Sequence, residues 1–238
     1  MIYIDMFDYT VIMYTAIVVG FTHTLLGPDH YIPFIALSKS MNWNLKKTMF
    51  ITMLCGFGHV ISSVIIGLIG IIFGKALISL SGLETLRGEF AATLLLIFGF
   101  TYFIWGLWQS IKNKSHSHIH KHNNVIHTHD HIHEEKHFHL HKNKNVVTSW
   151  ALFLIFVFGP CEPLIPLIMY PAAKLNLFYT IFVSVIFATT TVMTMLMIVF
   201  LSLKGMTKIK IEFLNRFSHS FAGFAILTCG ILVKYFNF

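Results

Sequence analysis

Six long stretches with almost no charged side chains constrain the fold of this chain more than any other feature. They cover residues 9–38, 48–74, 90–111, 145–173, 175–203 and 217–233. Each is long enough to cross a lipid bilayer as a helix, which takes about 20 apolar residues. Hydrophobic residues make up 55% of the chain and charged residues only 11%, a combination that few soluble domains show. The sequence therefore predicts an all-α integral membrane protein with six transmembrane helices in contact with the lipid bilayer.

The positive charges of the chain predict its orientation in the membrane. The loops after the first, third and fifth predicted helices hold 13 of the 17 Lys and Arg residues. The positive-inside rule places these loops in the cytosol and both termini outside the cell membrane. The net charge of +7 is then explained by topology, and we do not expect a nucleic acid as a partner.

A histidine-rich stretch at residues 112–145 separates two predicted halves, residues 1–111 and residues 146–238. It contains eleven of the 15 histidines, often at alternate positions, and it has no apolar period. This composition is typical of a disordered linker, which the orientation above places in the cytosol. Neutral imidazoles bind transition metals weakly, so we expect the loop to buffer metal ions. A pH-responsive or merely soluble tether is the alternative.

A short polar motif occurs once in each half, inside an apolar stretch. Residues 27–30 read GPDH and residues 159–162 read GPCE, and further identities follow at the same offset of 132 positions without a gap. Gly-Pro interrupts a helix, so helices 1 and 4 are predicted to be broken there. Three helices per half is an odd number, which predicts two inverted three-helix repeats. Breaks at corresponding places in two such repeats indicate a transporter binding site near the midplane of the bilayer.

The two breaks and helix 2 contain side chains that bind metal ions. A carboxylate in the middle of a membrane costs about 2.5–3.5 kcal/mol, so Asp29 is expected to have a function. The alternatives are that Asp29 and His30 only pair with each other or cap the broken helix, that His59 is a hydrogen-bonded core histidine, and that Cys161 is a small buried hydrophobe. The predicted metal ligands are His23, Asp29, His30, His59, Cys161 and Glu162. We expect no catalytic residues and no resident cofactor.

Two of these segments resemble the motifs of a known family. Residues 23–30 read HTLLGPDH and resemble the HX4DH motif of the nickel/cobalt transporter superfamily, with one additional residue before the Asp. Residues 57–60, FGHV, resemble its second motif, and the histidine-rich loop resembles its exporter branch. That superfamily also includes urease-accessory-type permeases. The resemblance implies a permease without a chemical step, which transports a divalent transition-metal ion in an unknown direction. The ion would be Ni²⁺ or Co²⁺, with Zn²⁺ or Cu²⁺ as further candidates, and a cytosolic metallochaperone or metal donor would be a partner.

A third segment resembles a different family. Residues 159–166 read GPCEPLIP and resemble the Pro-Cys motif of the membrane thiol–disulfide carriers of cytochrome c biogenesis. Those carriers are similar six-helix inverted repeats with one cysteine in each half. Here Asp29 occupies the first-half position, so the partner for an intramolecular disulfide is missing. A thiol–disulfide electron carrier is therefore the alternative function. An exporter of a small anion such as sulfite is a third, although anions prefer cationic side chains or helix N-termini.

Overall fold

The structure, a computed structural model, is a helical membrane protein. It describes residues 6–72, 77–112, 116–122, 125–131, 141–159, 161, 163–173, 177–206 and 217–236. The helices are α1 (Met6–Leu26), α2 (Ile32–Ser40), α3 (Leu45–Ile72), α4 (Leu77–Lys112), α5 (His141–Phe158), α6 (Leu164–Ala173), α7 (Leu177–Met206) and α8 (Ser218–Phe236). A single turn of 3₁₀ helix, Pro28–His30, joins α1 to α2.

Five of the described helices are long and apolar enough to cross a membrane, namely α1, α3, α4, α7 and α8. Many large hydrophobic side chains are exposed on them, as expected where lipid covers a surface. The predicted multi-pass membrane protein is thereby confirmed, with five such helices among the described residues in place of the six predicted spans. The predicted fourth span, residues 145–173, is divided into α5 and α6 at the Gly-Pro sequence, where the break in helix 4 is predicted.

The helices of the two halves pack against each other. α4 and α8 approach so closely that Gly99 on α4 faces the backbone of Leu227, and Gly223 on α8 faces the backbone of Phe103. Small residues allow such contact between membrane helices. α1 packs on α7, and α3 packs on both α5 and α7. The two halves therefore form one bundle rather than two separate domains.

Two clusters of buried hydrophobic residues make up the core of this bundle. The larger includes Phe34 from α2, Phe156 from α5 and Met195 from α7. The smaller includes Phe187 from α7 and also contains Cys161. His30 of the first helix break is buried, and Cys161 of the second break belongs to the smaller cluster.

Part of the histidine-rich loop forms two paired strands, β1 (His116–His122) and β2 (Val125–His131). They are antiparallel, with His118 opposite His129. The sequence predicts disorder throughout residues 112–145, and the structure differs over these two strands and over residues 141–145, which begin α5. The alternating histidines have the period of two that a strand requires. Residues 132–140 lie outside the described residues.

Candidate thiol and metal site at the two helix breaks

The first helix break follows directly from its local sequence. The N–H of Gly27 still donates to the carbonyl of His23 at 3.0 Å, which closes the last turn of α1. Pro28 has no N–H with which to continue that ladder. The chain forms one 3₁₀ turn, in which the N–H of His30 donates to the carbonyl of Gly27 at 3.1 Å. The break predicted in helix 1 is therefore present, with Asp29 and His30 on the turn between α1 and α2.

His30 and Asp29 form a pair within this turn. Nδ1 of His30 lies 3.1 Å from Oδ1 of Asp29 and 3.2 Å from the carbonyl oxygen of Gly27. A carbonyl can only accept a hydrogen bond, so we assign a proton to this nitrogen. The imidazole is buried, whereas the Asp29 side chain is 26% exposed. The contact is the pairing that sequence analysis considered as the alternative to metal binding at these two residues.

Three imidazoles lie in a row across the site. The ring centroid of His30 is 4.7 Å from that of His23 and 5.0 Å from that of His59, and the adjacent rings are nearly perpendicular. In all three, Nε2 is buried and has no hydrogen-bond partner among the described residues. Buried polar atoms in proteins usually have a partner, so these three nitrogens require an explanation.

The second break brings Cys161 to two of these histidines. α5 ends at Phe158 and α6 begins at Leu164, and Cys161 lies between them, fully buried. Its Sγ and one ring nitrogen each of His23 and His59 all lie within 4.8 Å of one another. The structure thus brings together three of the six predicted metal ligands. His30 adjoins this group through the ring contacts above, Asp29 contacts His30, and Glu162 lies outside the described residues.

The proton on His59 can be assigned from its neighbours. Nδ1 of His59 lies 3.3 Å from the carbonyl oxygen of Phe156, which also accepts the N–H of Gly159 at 3.0 Å. Because a carbonyl can only accept, Nδ1 carries the proton and donates it. Nε2 of the neutral ring then carries a lone pair. A lone pair of this kind can accept a proton from a thiol or bind a metal ion.

Both glycines of the repeated motif are covered by an imidazole. A Cβ placed on Gly27 would lie 2.6 Å from Nδ1 of His30, and one placed on Gly159 would lie 2.9 Å from Nδ1 of His59. Any side chain at either position would displace the neighbouring ring. The Gly-Pro motif therefore does more than interrupt a helix, since its glycine makes room for a histidine of the site.

A buried ion pair on α4 holds the second break. Glu84 is fully buried and pairs with Arg87 one turn later. Oε2 of Glu84 accepts the backbone N–H of Cys161 at 3.1 Å. Arg87 donates to the carbonyl oxygens of Val157 at 3.0 Å and Gly159 at 3.1 Å. The pair therefore binds backbone groups that lose their helical partners where α5 ends.

Two serines on α3 complete this network. Arg87 donates to Oγ of Ser62 at 2.7 Å, and Ser63 donates to Oε2 of Glu84 at 3.2 Å. The ion pair does not follow from apolar length, because the predicted third helix, residues 90–111, begins after Arg87 and leaves both charges outside the membrane. α4 begins at Leu77, so both charges lie inside the helix. The spacing of Glu84 and Arg87, three positions apart and so on one helix face, is the sequence signal that indicates such a pair.

A small cavity of about 30 Å³ lies beside the site. Asp29 and His59 line it on the polar side, and Ala91, Ala92 and Leu95 of α4 line it on the apolar side. A cavity of this size holds a water molecule or two. His59 therefore borders both this cavity and the group that it forms with His23 and Cys161.

Comparison with known proteins identifies a family. Residues 32–232 match the family described as the cytochrome C biogenesis protein transmembrane region. No curated protein and no solved structure matches the chain significantly. The predicted membership of the nickel/cobalt transporter superfamily is therefore wrong, and so is the divalent-metal permease that it implied.

The position of the match accounts for part of the error, although FGHV at residues 57–60 lies inside the matched region. The HTLLGPDH segment, residues 23–30, precedes the matched region, whereas GPCEPLIP, residues 159–166, lies inside it. A Gly-Pro sequence with histidine and aspartate indicates a helix break and the polar side chains beside it. These residues do not by themselves identify what the site acts on.

Proposed function

The chain belongs to the family of the cytochrome c biogenesis protein transmembrane region, and we propose that it is a membrane thiol–disulfide carrier whose working thiol is Cys161. The observation that supports this function best is the position of Cys161. Its Sγ lies at a helix break, within 4.8 Å of ring nitrogens of His23 and His59. A cysteine beside an imidazole base is the usual arrangement of a reactive thiol.

Groups beside Cys161 can accept the thiol proton and fix the backbone that carries the thiol. Thiol–disulfide exchange needs a thiolate, and Nε2 of His59 has a lone pair to accept the thiol proton. The bond from His59 to the Phe156 carbonyl keeps the ring in that tautomer. The hydrogen bond from the Cys161 N–H to Glu84 fixes the backbone that carries the thiol. The proton and the negative charge then stay within a buried Cys–His pair.

A carrier with one working cysteine must exchange through mixed disulfides. Asp29 occupies the corresponding first-half position, and all three cysteines of the chain are free. The Cys161 thiolate would attack the disulfide of an acceptor protein and form a mixed disulfide, releasing one acceptor thiolate. A thiolate of a dithiol donor protein would then attack Cys161 and release the second acceptor thiolate. The other donor thiol would close the donor disulfide and free Cys161. Two electrons pass from donor to acceptor, and Cys161 ends as it began.

We also propose that the two halves form an inverted repeat that exposes Cys161 to each side in turn. The packing supports this arrangement, because α1 packs on α7 of the other half while α5 packs on α3, and α4 packs on α8. Cys161 has no exposed surface, so exchange with a partner requires the halves to move. The positive charges support termini outside and the histidine-rich loop in the cytosol. The cytosolic metal donor expected from the sequence stays a prediction.

The test is electron transfer across a membrane by the purified full chain. Proteoliposomes would enclose a disulfide-bonded thioredoxin-type protein, with a reduced dithiol protein outside, and reduction of the enclosed disulfide would be measured. We expect Cys161→Ser to reduce the rate to that of empty liposomes. Cys55→Ser and Cys229→Ser are matched controls, since both cysteines are buried elsewhere, and they should keep the rate. Full transfer by Cys161→Ser would contradict the proposal.

A further inference from the structure

We infer that His23, His59 and Cys161 form a binding site for a monovalent copper ion. The inference goes beyond the proposed carrier, because copper binding and electron transfer to a disulfide do not require each other. It rests on the convergence of three ligand atoms in the interior of the bundle. These atoms come from α1, α3 and the break between α5 and α6, so only the folded chain assembles them.

The geometry is close to that of a metal site. The three atoms lie within 4.8 Å of one another, and bonds to an ion would be about 2.0–2.3 Å long for nitrogen and sulfur ligands. A small contraction of the triangle would bring all three atoms to bonding distance of a central ion. Cys161 and His59 are buried, so an ion there would be shielded from solvent.

The orphaned nitrogens are the independent observation. Nε2 of His59 and Nε2 of His23 are buried and have no hydrogen-bond partner among the described residues. His59 is only 3% exposed. Its other nitrogen donates to the Phe156 carbonyl, and a backbone carbonyl in that position is how proteins commonly orient a metal-binding histidine. With Nε2 as the ligand atom of each ring, a bound ion would satisfy nitrogens that have no partner among the described residues.

The ligand set and its charge favour Cu⁺. Thiolate ligands select Cu⁺ or Zn²⁺ over harder divalent ions. Zn²⁺ takes four ligands, so with the three that the described residues bring together it would need a water molecule as the fourth, whereas Cu⁺ needs none. Two neutral imidazoles, one thiolate and Cu⁺ sum to zero charge, while Zn²⁺ would leave a buried positive charge. Uncompensated charge in an apolar interior is costly, and the Asp29 carboxylate already pairs with His30.

The experiment uses the full-length chain with its eleven loop histidines replaced by asparagine, so that the loop does not bind metal. The purified protein would be titrated anaerobically with Cu⁺ against a competing chelator, with Zn²⁺ and Ni²⁺ in parallel. We expect one Cu⁺ per chain, and an X-ray absorption spectrum with one sulfur and two nitrogen ligands. Cys161→Ser should remove the sulfur ligand, and His59→Gln and His23→Gln should each weaken Cu⁺ binding.

Two matched control variants test whether the loss of Cu⁺ binding is specific to the three proposed ligands. Cys55→Ser removes another buried thiol, and His219→Gln removes a histidine whose Nδ1 contacts the Tyr102 hydroxyl. Both should leave Cu⁺ binding unchanged, and gel filtration would confirm that every variant is folded. No stoichiometric Cu⁺, tighter binding of Zn²⁺ than of Cu⁺, or an unchanged sulfur ligand in Cys161→Ser would each overturn the inference.

The outcome is distinguishable from that of the carrier proposal. Transfer of electrons without copper binding would overturn the copper site alone. Copper binding with one sulfur ligand, in a chain that reduces no enclosed disulfide, would overturn the carrier alone.

Discussion

The two helix breaks share a Gly-Pro dipeptide but are stabilised in different ways. At the first break, His30 bonds Asp29 and the Gly27 carbonyl, so its hydrogen bonds stay within four residues. At the second, the Cys161 N–H and the Gly159 carbonyl bond the Glu84–Arg87 pair, more than 70 positions earlier in the chain. One break is a local structure, whereas the other depends on the docking of α4.

The difference bears on what each break does. A break held by its own residues keeps its shape wherever its helix lies. A break held by α4 keeps Cys161 in place only while α4 is docked against α5. The residue that we propose as the working thiol is therefore the one whose backbone depends on tertiary contacts. We therefore expect the free energy of unfolding to fall more when the charged partner of the second break is removed than when the charged partner of the first break is removed.

The largest effect is expected for Arg87→Leu. It leaves the fully buried Glu84 without its cationic partner, and breaking a buried pair in this way costs about 3–5 kcal/mol. The free energy of unfolding would be measured in mixed micelles by titration with a denaturing detergent. The matched control is Lys234→Leu, which breaks the more exposed pair with Glu89 and should cost about 0.2–1 kcal/mol. Equal losses for the two variants would show that the α4 pair does not hold the second break.

A double variant sharpens this result. Glu84→Leu/Arg87→Leu removes both charges, and replacing a buried pair by apolar residues is often neutral or stabilising in other proteins. Here the Cys161 N–H would still lose its acceptor, so we expect recovery of part of the loss seen in Arg87→Leu. The same unfolding titration would measure it. A double variant less stable than Arg87→Leu would contradict the assignment of the loss to an unpaired Glu84.

An intermediate effect is expected for alanine at the two glycines. Each new methyl group would press on a histidine ring, and overpacking of this kind costs about 1–3 kcal/mol. Gly27→Ala should cost more than Gly159→Ala, because the new Cβ would lie 2.6 Å from Nδ1 of His30 at Gly27 but 2.9 Å from Nδ1 of His59 at Gly159. Unfolding would again be compared, with Gly82→Ala as the control, since no atom lies within 4 Å of a Cβ there. The reverse order would show that the first break is the more adaptable one.

The smallest effect is expected for Asp29→Asn. The Asp29 side chain is 26% exposed, and asparagine keeps an oxygen that can accept a hydrogen bond from His30. Partly exposed ion pairs contribute little, so we expect a loss below about 1 kcal/mol in the unfolding titration. A loss as large as that of Arg87→Leu would mean that the first break also depends on charge, and the contrast between the breaks would disappear.

The sequence predicted the elements of this site better than their use. The membrane helices and the break after Leu26 were expected, since they depend on apolar length and proline. His23, His59 and Cys161 were among six predicted ligands, but ligand type alone did not single out these three. The family was assigned wrongly, because HTLLGPDH resembles a motif that the family match does not include. Glu84 and Arg87 were missed because charges at the edge of an apolar stretch were assigned to a loop.

The local properties of the chain were decided by the sequence alone. Proline lacks an N–H wherever it occurs, and long apolar segments cross a bilayer whatever their neighbours, so the breaks and the membrane class follow from short segments. The site itself was decided by tertiary structure. His23, His59 and Cys161 lie on three separate elements, and the Glu84 carboxylate that fixes Cys161 comes from a fourth. Groups so far apart in the chain meet only when the helices pack, because no local rule relates their positions.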